Sequence, residues 1–457
     1  MLNQVEAYHL LHKGTLAMAR AEAAGIRVDM EYLETKHAHL TRQMAYQEKK
    51  FKESKFFKDW EKSQGKEPNM NSPVQLATFL YGVMKRKPPK LTKSGKGSTD
   101  KETLTSLNIP ELNYHLEAKK LKKIRDYLDA FKREQVDGWM HTNFNLHLVS
   151  TFRSSSDKPN FQNIPKRDKV AMRATRQALY PRKGHQLLEV DYGQLEVRIS
   201  TCVNKDPQLI HDILKGDMHA DMCKEIFQIK NFDNNNKDHH YLRAATKNGF
   251  VFPEFYGDYF KNCAEALACQ WGELPKTRWK AGQGVEFEGK HLSDHLIAQG
   301  FTTLDKFTLH LKKIEEDFWG KRYKVYARWK EKHWRQYQKD GYIEMLTGFR
   351  CQGVMSKNDV SNYVIQGPAF HCLLWSFIRL DEFIREYKLN SRIIGQVHDS
   401  IVFDVHPDER EELIKLVRDV TTVLLPKAWD WIQIPLDVDF EICGVDESWA
   451  EKRKLEV

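Results

Sequence analysis

The sequence predicts an α+β fold whose sheet is gathered from segments on both sides of a helical insertion. Three features lead there: helical periodicity near the N-terminus, short β-prone runs on either side of residues 206–345, and a charge- and aromatic-rich helical pattern within that stretch. With 457 residues, 41% of them hydrophobic, the chain exceeds one ordinary core, and two to four subdomains are expected.

Residues 1–60 read as helices. Leu10, Leu11, Leu16 and Met18 recur at helical spacing, and Gly25 stops the pattern before Val28 and Asp29. Residues 84–100, MKRKPPKLTKSGKGSTD, are the most basic stretch, and they suit a solvated loop and a phosphate-backbone contact equally well. Residues 114–134 form an amphipathic helix, with Leu116, Leu121, Ile124 and Leu128 as its apolar stripe and Lys and Arg around the rest. Strand-like runs follow at 143–153 (NFNLHLVSTFR) and 185–191 (HQLLEVD). After the helical middle, RIIGQVHD, SIVFDV and IPLDVDFEI read as strands.

A net charge of +9 permits an anionic partner without demanding one. Seven cysteines without a CxxC pair argue for reduced thiols in a cytosol-like compartment. Cys263 and Cys269 with His239 and His240 fit no common zinc spacing, so plain thiols are expected. No window holds about 18 uninterrupted apolar residues, and the N-terminus lacks a signal-like apolar core; a soluble, cytoplasmic protein with no membrane partner is expected.

Two aspartates carry the chemical reading. Asp191 ends an apolar run, LLEVD, and Asp399 lies in QVHDSIVF, where two β-prone runs flank a short polar break as a hairpin requires. Either residue alone is more often a turn or capping group. Facing each other from neighbouring strands, they could hold two hard cations about 4 Å apart for in-line phosphoryl transfer. In YLRAATKNGFVFPEFYGDYF, Arg243 and Lys247 are four apart on one helical face, suited to a triphosphate and its leaving group. Phe252 and Tyr256, also four apart, offer faces for a base. Singly, each would be a surface ion pair or a core aromatic; together within fourteen positions they form a constellation.

These segments resemble the motifs of family A (DNA polymerase I-like) DNA polymerases. VDYGQLEVRIS resembles motif A, RAATKNGFVFPEFYG motif B and QVHDSIVF motif C. In the same order, STFRSSSDKPNFQNIPKR, GDMHADMCKEIF and TGFR with NYVIQGPAF resemble further family signatures. NMNSPVQLATFL, LTKSGKGST and the basic helix resemble the thumb, and AAGIRVD and GVDESW also match, so the likeness spans the chain.

The resemblance implies a right-hand polymerase fold with an antiparallel palm sheet, helical fingers and helical thumb. It places the thumb within residues 1–140, the palm in 141–205 and 346–457, and the fingers in 206–345. It implies synthesis on primer-template DNA from dNTPs with two Mg2+ ions, or Mn2+ in their place. Asp191 and Asp399 would hold the metals with the carbonyl of Tyr192, one metal activating the primer 3′-hydroxyl and the other the leaving pyrophosphate. His219, Arg243, Lys247 and Gln194 would attend the incoming triphosphate, and Phe252 would stack on its base. Glu196, paired with Tyr256, would exclude a 2′-hydroxyl. Arg153, Asn362, Gln366 and His398 would touch the primer-template, largely in the minor groove, where acceptors are nearly sequence-independent. A closing movement of the fingers is expected.

The chain also departs from the family pattern. Only 22 residues precede AAGIRVD, so no 3′–5′ exonuclease domain is expected, as in a phage-like branch, a split enzyme or a truncated one; a separate exonuclease or processivity subunit is then the expected partner. The Asp29-x-Glu31 pair reads as a helix start rather than a nuclease motif. Ser400 replaces a common Glu, removing a carboxylate at the edge of the site, and Gly193 stands where Ser is common. Lys247 and Tyr256 are nine apart rather than eight, with Pro253 between, so a π-bulge or break is predicted between Lys247 and Phe252. A regular helix would put Val251 where Phe252 is needed. The rival readings are a single-subunit RNA polymerase, whose motif C also reads His-Asp-Ser, and a non-catalytic DNA-binding relative. Glu196 with the QNIP and IQG segments favours DNA synthesis over the first, and intact Asp191, Asp399, Arg243 and Lys247 count against the second.

Overall fold

The computed structural model describes residues 2–92, 94–166 and 168–456; Lys93 of the basic loop and Arg167 of the QNIPKR run lie outside the described residues. The central sheet has five antiparallel strands: β1 (Gln186–Tyr192), β2 (Arg392–Val397), β3 (Ser400–Val405), β4 (Val438–Ile442) and β5 (Arg453–Leu455). Their spatial order is β2-β3-β1-β4-β5, so the strand that precedes the helical middle sits among those that follow it. β1 runs one residue past Asp191 and is buried almost throughout, which suits its position between β3 and β4. Asp191 stands opposite Ser400 on β3 and Asp439 on β4, and Glu189 opposite Val402 and Glu441. Because side chains alternate, Glu189 and Asp191 share one face, while Tyr192 on the other reaches Ser376 with a 2.7 Å hydroxyl contact.

That second face is covered by the 30-residue helix Lys357–Glu386, which starts from a Ser356/Asp359 capping box. The N-terminal helix Gln4–Ala24 packs on it closely; a Cβ on Gly14 would come within 2.8 Å of Leu374. Arg20 donates two bonds to Asp381 across the junction. The buried stripe of the N-terminal helix is Ala7, Leu10, Gly14, Ala17, Met18 and Ala21. Leu16, expected in it, lies off that face and is 48% exposed.

Helices Met30–Glu53 and Leu112–Glu134 lie along each other. Asp29 caps the first, its carboxylate accepting from the Tyr32 amide at 2.9 Å, as the helix-start reading requires. Leu121, Ile124 and Leu128 are buried, and Leu116 packs against a second, separate core of Phe51, Phe56, Phe57, Trp60, Leu76, Phe79, Leu80, Leu104 and Leu112. The run 143–153 differs from expectation: only Asn143–Asn145 is strand, and the chain bends from residue 146 onward, with Phe152 in left-handed backbone (φ 56°). The helical middle contains π turns and a small hairpin, Glu286–Phe287 with Lys290–His291.

All seven cysteines are free thiols. His239 pairs with Glu288 at 2.8 Å, and the Cys263 thiol faces Glu254 rather than a histidine. Among the described residues no helix is long and apolar enough to cross a membrane.

Candidate active site

β2 and β3 form a hairpin whose turn is His398-Asp399, with His398 left-handed (φ 53°). The Tyr192 amide donates to the Asp399 carbonyl at 3.2 Å, which locks the turn against the end of β1 and sets Asp399 beside Asp191. Both carboxyls are half-buried, and burial pushes both pKa values up, Asp399 to about 6, with the negative charges of Glu196 and Asp191 adding to it. Two crowded, half-buried carboxylates call for compensating positive charge.

Part of that charge comes from Lys166 of the QNIPKR run, whose ammonium lies 3.2 Å from Asp191 and 3.9 Å from Glu189. Glu189 is 2% exposed and is held by Lys452 at 2.6 Å, Trp449 Nε1 at 3.0 Å and Arg176 at 3.2 Å. These cations bring its carboxyl down to about 2 against the cost of burial. Ser400, expected at the edge of the site, stands opposite Asp191 and is buried; its hydroxyl donates to the Val397 carbonyl at 2.9 Å and lies 3.3 Å from Glu189. Lys166 and Glu189 were both missed in the sequence, although Glu189 lies two residues before Asp191 and so had to share its face.

The facing wall comes from the helical middle. Helix Lys237–Thr246 passes into a π turn at Lys247–Val251 before resuming at Phe252–Phe255, as the nine-residue spacing predicts. Val251 is thereby buried, and Phe252 faces the cleft with the Lys247 ammonium 5.2 Å from its ring centre. His219 meets the same ring edge-on at 5.8 Å. His219 is 3% exposed, neither ring nitrogen has a hydrogen-bond partner among the described residues, and burial beside Lys247 and Arg243 lowers its pKa to about 4. Burial and Arg243 also lower the pKa of Lys247. Arg243 is not free: it forms a bidentate pair with Asp217, at 2.8 and 2.9 Å, the residue that caps helix Met218–Phe227.

Glu196, in the first turn of helix Leu195–Asn204, joins the two walls. One carboxylate oxygen accepts from Arg153 at 2.9 Å and the other from the Tyr256 hydroxyl. The Asn362 amide donates to the Tyr256 carbonyl at 3.1 Å. Glu196, Phe252, Tyr256, Asn362 and Gln366 line one pocket. Gln194, left-handed (φ 53°), lies exposed at the start of the same helix, and the His398 carbonyl accepts from the Gln396 amide. Asp191 and Asp399 thus meet at the strand junction, and Glu196, Phe252, Tyr256, Asn362 and Gln366 share one pocket.

Comparison with known proteins gives a consistent outcome. The model of "DNA polymerase family A" matches residues 31–274 and 311–451. The chain is similar to DNA polymerase I of Geobacillus stearothermophilus (27% identical over 440 residues, 93% of this chain and 44% of that protein). It is likewise similar to DNA polymerase I of Synechocystis (28% over 459 residues; 95% and 41%) and to thermostable DNA polymerase I of Thermus thermophilus (26% over 455 residues; 96% and 47%). The chain thus spans less than half the length of these relatives. Among solved structures it resembles the POL domain of Pol1 from M. smegmatis in complex with DNA primer-template and dNTP, with TM-score 0.73 and 25% identity over 96% of this chain and 70% of that one.

Proposed function

The chain belongs to DNA polymerase family A, and we propose that it extends a primer 3′ end on a DNA template with dNTPs, in replication or repair. The observation that carries this reading is the junction of β1 with the β2–β3 turn, which brings Asp191 beside Asp399 under a wall bearing Lys247, Arg243 and His219. Residues 1–140 serve as thumb, 141–205 and 346–457 as palm, and 206–345 as fingers.

The donors available to a metal are the two carboxylates and the carbonyl of Tyr192, all hard oxygens, which suit Mg2+ or Mn2+. Among the described residues no group of three or more His, Cys, Asp or Glu is placed to hold a metal, so phosphate oxygens of the substrate would complete the coordination. The Lys166 ammonium, 3.2 Å from Asp191, already occupies part of the negative cleft such an ion would enter. Such ions, when bound, supply the Lewis acidity that activates the 3′-hydroxyl and stabilises pyrophosphate.

The side chains do the rest. Lys247 and His219 bind the triphosphate, and Arg243 joins them by exchanging Asp217 for phosphate oxygens. Gln194 lies at the same helix start. Phe252 stacks on the incoming base, its ring held edge-on by His219. Glu196, held by Arg153 on one oxygen and by the Tyr256 hydroxyl on the other, fills the space a ribose 2′-hydroxyl would need. Arg153, Asn362, Gln366 and His398 contact the primer-template near its terminus. The engaged Glu196 favours DNA over RNA synthesis. The test is extension of matched and mismatched primers with dNTPs and with rNTPs. Extension with dNTPs in preference to rNTPs is expected. Ribonucleotide preference, or no extension at all, would overturn the proposal.

A further inference from the structure

We propose that Lys166 is a resident counter-ion of the carboxylate cleft, which holds Asp191 until a divalent cation enters and then shifts to Glu189. This rests on the polymerase reading above and adds to it how the site is kept before metal arrives.

The geometry gives Lys166 two berths. Its ammonium is 3.2 Å from Asp191 Oδ2 and 3.9 Å from Glu189 Oε1, so a small rotation of a flexible stem exchanges one for the other. Its side chain is 48% exposed, which leaves it room to turn. Glu189 is prepared unevenly for the exchange. Oε2 accepts from Lys452, Trp449 and Arg176, whereas Oε1 has near it the Ser400 hydroxyl at 3.3 Å, whose proton is also directed to the Val397 carbonyl at 2.9 Å. That oxygen therefore retains capacity for a charged donor.

Ser400 makes this arrangement workable. A carboxylate at position 400 would stand against Glu189 in a buried space and draw the local cations to itself; a neutral hydroxyl leaves Oε1 open. The Tyr192 amide's bond to the Asp399 carbonyl holds Asp399 beside Asp191, so without metal a positive group nearby lowers their repulsion. Lys166 supplies it from outside the sheet. The exchange conserves the pairing of every charge: the divalent ion takes over Asp191 and the ammonium moves to Glu189. Lys166 is thus a positioning residue that competes with metal rather than binding it.

The test is Mn2+ binding to the whole chain without DNA or nucleotide, read by titration calorimetry, for the unaltered protein, Lys166→Met, Lys166→Arg and Asp191→Asn. Lys166→Met should bind Mn2+ about fivefold more tightly, because no cation must be displaced, and Lys166→Arg should stay within about twofold of the unaltered protein. Thermal melting in EDTA is the second readout: Lys166→Met should melt lower than the unaltered protein and regain more on adding Mn2+. Equal or weaker Mn2+ binding by Lys166→Met would overturn the proposal. If Asp191→Asn binds Mn2+ as well as the unaltered protein, the metal-site reading itself fails, and that outcome is separate from the Lys166 result.

Discussion

Replacing Glu196 with alanine should relax sugar selection far more than it slows deoxynucleotide addition. Both carboxylate oxygens are committed, to Arg153 at 2.9 Å and to the Tyr256 hydroxyl, and the side chain is only 16% exposed. A ribose 2′-hydroxyl arriving there meets steric overlap worth roughly 1–3 kcal/mol. It also loses its water without gaining a partner, which costs about 1–2 kcal/mol more. Their sum, about 2–5 kcal/mol, corresponds to roughly 30- to 5,000-fold discrimination that alanine should remove. The cost to deoxynucleotide addition is smaller, because Arg153 is partly exposed and can turn to water; about tenfold or less is expected. Single-turnover incorporation of dCTP and CTP opposite the same template base measures both. Glu196→Gln, which keeps the bulk, should keep most of the discrimination. Selection that stays within about threefold of the unaltered enzyme in Glu196→Ala, with dCTP addition intact, would refute the gate.

Three further outcomes are expected. Glu254 is 1% exposed, accepts from Trp319 Nε1 at 2.8 Å, and is pushed by burial from 4.5 up to about 8. The folded state keeps a proton that the unfolded chain releases, so this group costs stability progressively from about pH 4.5 to 8. Glu254→Gln should therefore gain over the unaltered protein as pH rises, by ~2–4 kcal/mol at pH 8, and a gain that shrinks with pH in urea unfolding contradicts it. Arg176→Met removes a fully buried guanidinium from Glu189, and from the Trp449 ring 4.1 Å away; a loss of roughly 2–4 kcal/mol is expected, against less than about 0.5 if the pair is idle. Deleting Asn248 converts the π turn to eight-residue α spacing, so Phe252 and Tyr256 should stay on the cleft side and primer extension should persist within about tenfold; complete loss would mean the extra residue is itself required.

Much of this arrangement was legible in the sequence because its signals are local. The spacing of Lys247 and Tyr256, with Pro253 between, specified the π turn, and the apolar run before Asp191 specified β1. The polar break at His398-Asp399 specified the hairpin. What stayed hidden depends on partners far along the chain. Glu189 draws Arg176 from one segment and Trp449 with Lys452 from the C-terminal one, and Arg243 is occupied by Asp217, so neither environment follows from neighbouring residues. Leu16 misled because an apolar residue counts toward helical periodicity whichever face it takes, and the stripe that packs is set by the small residues Gly14, Ala17 and Ala21. The separate core around Trp60 was also unmarked: its aromatics are spread over Phe51–Phe79 without one clear period.

One measurement bears most directly on the chemistry assigned to Asp191 and Asp399: single-turnover extension of a matched primer by Asp191→Asn and Asp399→Asn, with primer-template affinity followed by anisotropy. Each variant should extend roughly a thousandfold or more slowly while binding DNA within about threefold of the unaltered chain. Extension by either at more than about a tenth of the unaltered rate would contradict the assignment.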